Sequence, residues 1–223
     1  MTSKKICFEG IDSSGKTLQL GLLADFLRRH GHRVFERSYP IYDSFFGKHI
    51  GELLAGINGE SASDCDPMSM ALWYALDRWQ DYQLNLRRFE NAEYVLLNRF
   101  TLSSVVYQTL RKNDQSLASW IEELEHEILK LPRPDLYVIF DVLPAMAKRN
   151  LTKKGRRAYL GEQADVYESD SSLQSRAAEL YRCLGESLPN AAVISCHPKG
   201  TLLDPIHIHE EVVDLLEAWK LLV

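Results

Sequence analysis

Cysteine is scarce in this 223-residue sequence: four residues, Cys7, Cys65, Cys183 and Cys196, with no CxxC pair and no metal-ligand spacing. They are expected to be structural or inert thiols, since Cys7 and Cys196 fall in apolar runs where cysteine serves as a small hydrophobe. Long apolar runs are missing too. The stretch after Met-Thr-Ser-Lys-Lys is only Ile6 to Phe8, too short for a signal-peptide core or a membrane span. A cytoplasmic location without membrane contact is the expectation. Nor is positive charge in excess. A net charge of −5 argues against a nucleic-acid partner, which needs a basic surface to displace counterions. Small anions are not excluded, because they need only a local cluster of Arg and Lys. Repeats, low-complexity tracts and linker-like stretches are absent, so one domain over residues 1–223 is expected.

What is present is an alternation of short apolar runs with longer amphipathic ones, the mark of βαβ units around a parallel sheet. Strands are expected at Lys5–Glu9, Arg33–Ser38, Tyr94–Leu97, Leu136–Phe140 and Ala192–Cys196. Helical spacing runs from Lys16 to Arg29, where Leu20, Leu23 and Phe26 recur every three or four positions. It returns in Pro67–Phe89, Ser116–Leu131, Pro144–Asn150, Ser172–Ser187 and His207–Leu221. Lys153 to Glu162 differs in kind: a basic loop with two glycines between two helices.

Gly10-Ile11-Asp12-Ser13-Ser14-Gly15-Lys16-Thr17 matches G-x-x-x-x-G-K-[ST] in full, after an apolar strand and at the opening of a helix. The glycines let successive backbone N–H groups turn inward onto phosphate oxygens, and the helix adds its positive end. Lys16 reaches the β- and γ-phosphates, and the Thr17 hydroxyl serves Mg²⁺. Gly10, Ser13, Ser14, Gly15, Lys16 and Thr17 are therefore the expected binding site of a nucleoside triphosphate.

Other stretches narrow the class. Phe8 to Asp12 resembles the start of thymidylate kinases, with the acidic residue those loops carry at Asp12. Leu97-Asn98-Arg99-Phe100-Thr101-Leu102-Ser103-Ser104-Val105-Val106-Tyr107-Gln108 is similar to the family's D-R-[YF]-x-x-S-x-x-x-[YF]-Q. Pro134-Asp135-Leu136 through Asp141-Val142 is similar to its P-D-L strand ending in D-V, and Asp165-Val166-Tyr167-Glu168 to the D-x-Y-E that closes its lid. These matches fall in family order over roughly residues 5 to 185.

The resemblance implies a doubly wound α/β domain with a five-stranded parallel sheet in order 2-3-1-4-5, helices on both faces and a lid near 153–165. It implies ATP-dependent, Mg²⁺-assisted phosphorylation of a deoxynucleoside monophosphate, dTMP to dTDP, by a homodimer. Arg99, just past a strand at the carboxyl edge where ligands of open α/β sheets bind, is assigned the acceptor phosphate. Tyr74 to Trp79 resembles the family's base-reading segment. That implies that Tyr74 stacks on a pyrimidine and Arg78, four residues on along the same helix face, donates to a ring carbonyl, with plain packing of the pair as the alternative. Ser103, Ser104 and Gln108 are assigned to the acceptor as well, Ser104 and Gln108 to its base edge. Tyr107 crowds the sugar 2′ position, and Asp12 accepts from the 3′-hydroxyl. The P-loop holds no Arg, which makes this the lid-arginine type: Arg156 and Arg157 are assigned the transferring phosphoryl, and Arg149 the ATP.

Two positions depart from the family pattern. Asn98 replaces the Asp before Arg99, an oxygen ligand without negative charge, so Asp12, Asp165 and Glu168 are expected to share the metal with Thr17. Tyr39-Pro40-Ile41-Tyr42 stands where relatives place a phosphate-gripping Arg, so Tyr39 and Tyr42 are expected to offer hydroxyls to the acceptor, with Arg37 or Lys48 as substitutes for the charge. Two rivals stay open. One is a deoxynucleoside kinase, which wants a general base beside a neutral hydroxyl. The other is a noncatalytic nucleotide-binding regulator.

Overall fold

In the computed structural model, which describes residues 3–153 and 165–222, five parallel strands form one sheet. They are β1 (Lys4–Glu9), β2 (Val34–Ser38), β3 (Tyr94–Asn98), β4 (Leu136–Asp141) and β5 (Ala191–Ser195), in the order β2-β3-β1-β4-β5. The expected order holds. Ile6, Cys7 and Phe8 of β1, Val95 to Leu97 of β3 and Leu136 to Phe140 of β4 are buried on both faces, as near-continuous apolar runs demand.

The order sets where the site lies. The connection from β1 to β2, through α1 (Lys16–Arg29), moves across the sheet in one direction. The connection from β3 to β4 moves in the other. Right-handed crossovers therefore carry α1 to one face and α5 (Thr101–Lys112) to the opposite one. The carboxyl ends of β1 and β3, adjacent through the pairing Phe8 to Asn98, form the crevice between the diverging chains. The P-loop leaves one end and Arg99 the other.

Between these elements run α2 (Phe45–Ala55), α3 (Pro67–Leu84), α4 (Leu86–Asn91), α6 (Ser116–Glu122), α7 (Pro144–Lys153), α8 (Val166–Ser169), α9 (Ser171–Ser187) and α10 (Pro205–Ala218). Three expected helices are drawn differently. The long helix from Pro67 breaks at Asn85, whose amide donates to the Asp81 carbonyl and closes the last turn. After Glu122 the next helix widens into a π-helical turn, Glu123–Ile128, a rare form that re-aims side chains within a helix. The last helix starts earlier, at Pro205, because the Asp204 carboxylate caps the N–H groups of Ile206 and His207. The helix Phe45–Ala55 has no counterpart in the sequence expectations. Ser44 caps it through the Gly47 N–H, and Asp77 fixes the preceding loop by accepting from Ser44 Oγ and the Ile41 N–H.

Candidate active site

Gly10 leaves β1 with φ 135°, and a Cβ there would lie 2.8 Å from the Phe140 carbonyl oxygen of β4. Only glycine lets the loop turn so close beneath the neighbouring strand. Gly15, at φ 94°, then delivers the chain into α1. The Lys16 ammonium folds inside this loop, donating to the carbonyls of Gly10 at 3.0 Å and Ile11 at 2.6 Å and to Ser14 Oγ at 3.2 Å. It faces the loop and not the hydrophobic core.

Across the crevice Arg99 takes a left-handed backbone, φ 63°, uncommon for a residue with a Cβ. Its N–H donates to the Phe8 carbonyl at 3.0 Å. Its guanidinium donates to Asp12 Oδ1 at 2.8 Å and to Ser103 Oγ at 3.0 Å. A strained residue persists when its surroundings over-determine it, and such residues cluster at functional sites. The over-determining group is Glu9, the last residue of β1. It is fully buried and accepts from the Phe100 N–H at 2.8 Å, Ser103 Oγ at 2.6 Å and the Tyr181 hydroxyl at 3.0 Å. One carboxylate thus fixes the start of α5, and with it the aim of Arg99.

Asp12 is the meeting point of three elements. Besides Arg99 it accepts from the Gln174 amide of α9 at 3.0 Å and from the Tyr107 hydroxyl of α5 at 3.3 Å. Burial, with the nearby Asp12 charge, pushes the Tyr107 hydroxyl up, so it stays a neutral donor. Burial pulls the Arg99 guanidinium down most strongly of any one cause, but Asp12, Tyr107, Tyr181 and Glu9 together outweigh it, and the group stands well above its usual value.

A cavity of about 310 Å³ opens over these groups. Its lining includes Asp12 through Thr17 of the P-loop, and Tyr39, Tyr74, Arg78, Asn98, Arg99, Ser103, Ser104, Tyr107 and Gln108. The cavity therefore unites nearly every residue the sequence singled out. Gly10, Arg149 and Glu168 lie outside its lining; Glu168 accepts from Ser13 Oγ at 3.2 Å and so touches the P-loop from behind. Tyr39 presents its ring, while its hydroxyl donates to Asp81 at 2.8 Å, and Arg37 is turned to the same carboxylate at 3.1 Å. Arg156, Arg157 and most of the expected lid fall outside the described residues.

Arg78 is 2% exposed and held from behind by a group that sequence reading passed over. Its Nε donates to Glu125 Oε2 at 2.8 Å, and its Nη2 donates both to Glu125 Oε1 and to Ser104 Oγ, the latter at 2.7 Å. Burial draws the guanidinium down, and the Glu125 charge and hydrogen bonds, with Asp77 and Tyr39, together raise it above its usual value. Breaking such a buried pair by deleting one partner typically costs about 3–5 kcal/mol.

Asn98 donates to Thr17 Oγ1 at 3.2 Å and to Ser38 Oγ at 3.3 Å. Its buried Oδ1 has no hydrogen-bond partner among the described residues. An orphaned carbonyl oxygen beside a P-loop hydroxyl suits a hard cation such as Mg²⁺, which keeps several waters and needs few protein ligands. Among the described residues no three His, Cys, Asp or Glu side chains gather as a metal cluster. Asp12, Glu168 and Asp165, the carboxylates expected to share a metal, are engaged with Arg99, with Ser13 and with the N–H groups of Tyr167 and Glu168.

Glu9, Glu125 and Gln174, which hold Ser103, Arg78 and Asp12 in place, are positions that sequence reasoning missed. Glu9 carried a signal, a carboxylate closing an otherwise apolar strand. Glu125 carried none, because Glu-Leu-Glu-His-Glu reads as the solvated face of a helix.

Comparison with known proteins agrees with this geometry. A family model described as thymidylate kinase matches residues 8–191. The probable thymidylate kinase of Thermococcus gammatolerans is 30% identical over 216 residues, 95% of this chain and 95% of that one. The thymidylate kinase of Mycobacterium tuberculosis H37Rv is 29% identical over 180 residues, 79% of this chain and 83% of its own. The solved thymidylate kinase of Candida albicans superposes with a TM-score of 0.72 at 19% identity, over 98% of this chain and 93% of that one. Since the family match takes in the P-loop, the Arg99 strand and the cavity they share, this chain belongs to the thymidylate kinase family of nucleoside monophosphate kinases.

Proposed function

We propose that this kinase moves the γ-phosphoryl group of ATP to the 5′-phosphate of dTMP, releasing ADP and dTDP. The observation that carries the reading is one cavity with a phosphate grip at each end of the β1–β3 crevice and a buried guanidinium beyond. The P-loop takes the ATP phosphates and Arg99 takes the acceptor phosphate. Arg78, Ser104 and Gln108 face the base, with Tyr74 beneath the ring and Tyr107 against the sugar. An oxygen of the dTMP phosphate attacks the γ-phosphorus, the bond to the β–γ bridging oxygen breaks, and its electron pair leaves with ADP. The acceptor is already an anion, so the protein positions the reactants and offsets charge; it supplies no strong base.

The site suits Mg²⁺: Thr17 and the Asn98 amide oxygen would hold it, and it would offset charge on the ATP phosphates. Arg156 and Arg157 of the lid supply positive charge to the transferring phosphoryl, with Arg149 toward the ATP. A homodimer working in the cytoplasm completes the reading; no helix among the described residues is long and apolar enough to cross a membrane.

A deoxynucleoside kinase would need a carboxylate ready to take a hydroxyl proton. The carboxylates lining this cavity are committed otherwise, Asp12 to Arg99 and Asp165 to the N–H groups of Tyr167 and Glu168 that it caps. A steady-state assay with ATP, Mg²⁺ and a panel of monophosphates and nucleosides tests the proposal. The highest kcat/KM belongs to dTMP; a preference for thymidine, or turnover of no acceptor, would sink it.

A further inference from the structure

Beyond the residues that line the cavity, Glu125 is a fully buried acid on an unusual backbone. The π-helical turn Glu123–Ile128 interrupts a regular helix, and in a run of four glutamates it turns this one into the core while Glu123 and Glu127 stay outside it. There Glu125 accepts from two guanidinium nitrogens of Arg78 and, at 2.7 Å, from Thr101 Oγ1 in the first turn of α5. Arg78 Nε and Nη2 are thereby consumed. Nη1 makes no hydrogen bond to any described residue and is left as the donor for whatever enters the cavity.

We infer that Glu125 is a positioning residue for base selection: through the buried pair it fixes Arg78 as a single-direction, charge-neutralised donor aimed at a carbonyl on the acceptor base.

Two physical consequences follow from the pairing. Side-chain rotation of Arg78 is lost before the substrate arrives, so no ordering cost falls on binding. The pair also carries no net charge, so the base end of the cavity does not compete with Arg99 for the phosphate. A neutral carbonyl oxygen is matched to such a donor, whereas an exocyclic amino group opposes it donor to donor. Sites built to hydrogen-bond one group discriminate strongly because the wrong partner leaves buried polar atoms unpaired. Thr101 ties the arrangement to α5, the helix that begins just after Arg99, so both ends of the acceptor are aligned by one element.

The inference rests on the reading of Arg78 as a base contact, and binding measurements separate the two. Dissociation constants for dTMP and dCMP, by calorimetry on the full chain, give a ratio that reports the carbonyl against the amino group. In Glu125→Gln the ratio of dCMP to dTMP dissociation constants falls about tenfold, roughly the worth of one hydrogen bond, while ATP affinity is unchanged. Glu125→Asp, which keeps the charge but shortens the reach, falls part of the way and covers the case in which the Gln variant fails to fold. In an Arg78→Met background the Glu125→Gln change leaves the ratio where Arg78→Met put it. An unchanged ratio with a lowered melting temperature would make Glu125 merely structural and overturn the inference. So would a further fall in the Arg78→Met background. A parent protein that prefers dCMP would instead overturn the dTMP reading, and Glu125 would still be judged on whether its substitution moves the ratio.

Discussion

Asn98 and Thr17 sit side by side at the carboxyl edge of the sheet, the Asn98 amide donating to the Thr17 hydroxyl at 3.2 Å. The residue that breaks the family's Asp-Arg pattern therefore stands against the hydroxyl that a P-loop offers to magnesium. Asn98→Asp is isosteric, and the Thr17 and Ser38 hydroxyls can turn to donate to the new carboxylate. A carboxylate attracts a dication more strongly than an amide oxygen does. The substitution is expected to lower the Mg²⁺ concentration for half-maximal activity at fixed ATP. An equal or higher requirement in the mutant would remove Asn98 from the metal.

Arg99, the proposed grip on the acceptor phosphate, is paired to Asp12 of the P-loop. Its loss takes away a charge-assisted bond to a dianion, a class of interaction worth about 1.5–3 kcal/mol. Arg99→Ala should raise the KM for the monophosphate about 10–100-fold by that measure and lower kcat, with ATP binding nearly unchanged. Collapse of ATP affinity with normal monophosphate binding is the outcome that contradicts this role.

For the lid, the double substitution Arg156→Ala with Arg157→Ala is expected to reduce kcat about 10²–10³-fold, the usual cost of removing a preorganised charge from a transition state. Substrate affinities should change far less. If binding and turnover fell together, these charges would serve only to attract anions.

The cysteines offer a test of the core. Burial pushes the Cys7 thiol well up, with the Glu9 charge adding to it, and pushes Cys196 up to about 12. A raised thiol pKa means less thiolate, so both stay protonated and unreactive between pH 7 and 9. Cys183, exposed on α9, should label with a maleimide at pH 8 in the native protein, whereas Cys7 and Cys196 label only after unfolding. Mass mapping of the adducts decides, and fast native labelling of Cys7 would mean that β1 is not buried.

Much of this was legible in the sequence because the informative residues are close together along the chain. The P-loop needs eight consecutive positions, and Arg99 through Gln108 lie within three helical turns, a compact stretch that the family resemblance, and not spacing alone, assigned to one site. The apolar strands of a parallel sheet are buried on both faces, which makes them stand out as short runs. What stayed hidden depends on contacts distant in sequence. The Glu125–Arg78 pair spans 47 residues and needs a π-helical turn that no periodicity announces. The helix Phe45–Ala55 escaped notice because its signal lies in a Ser44 cap and in Asp77, 33 residues away. Tyr39 was expected to offer a hydroxyl to the acceptor, yet Asp81, on a helix beginning far downstream, accepts it.

The central claim is that phosphoryl transfer runs from the P-loop to an acceptor phosphate at Arg99, and product identity tests it most directly. ATP labelled at the γ-phosphate is incubated with the purified protein, Mg²⁺ and dTMP, and the nucleotides are separated. The account predicts label in dTDP in a one-to-one ratio with ADP formed, and none above background with Lys16→Ala. Label released only as inorganic phosphate, or dTDP formed at an undiminished rate by Lys16→Ala, would contradict it.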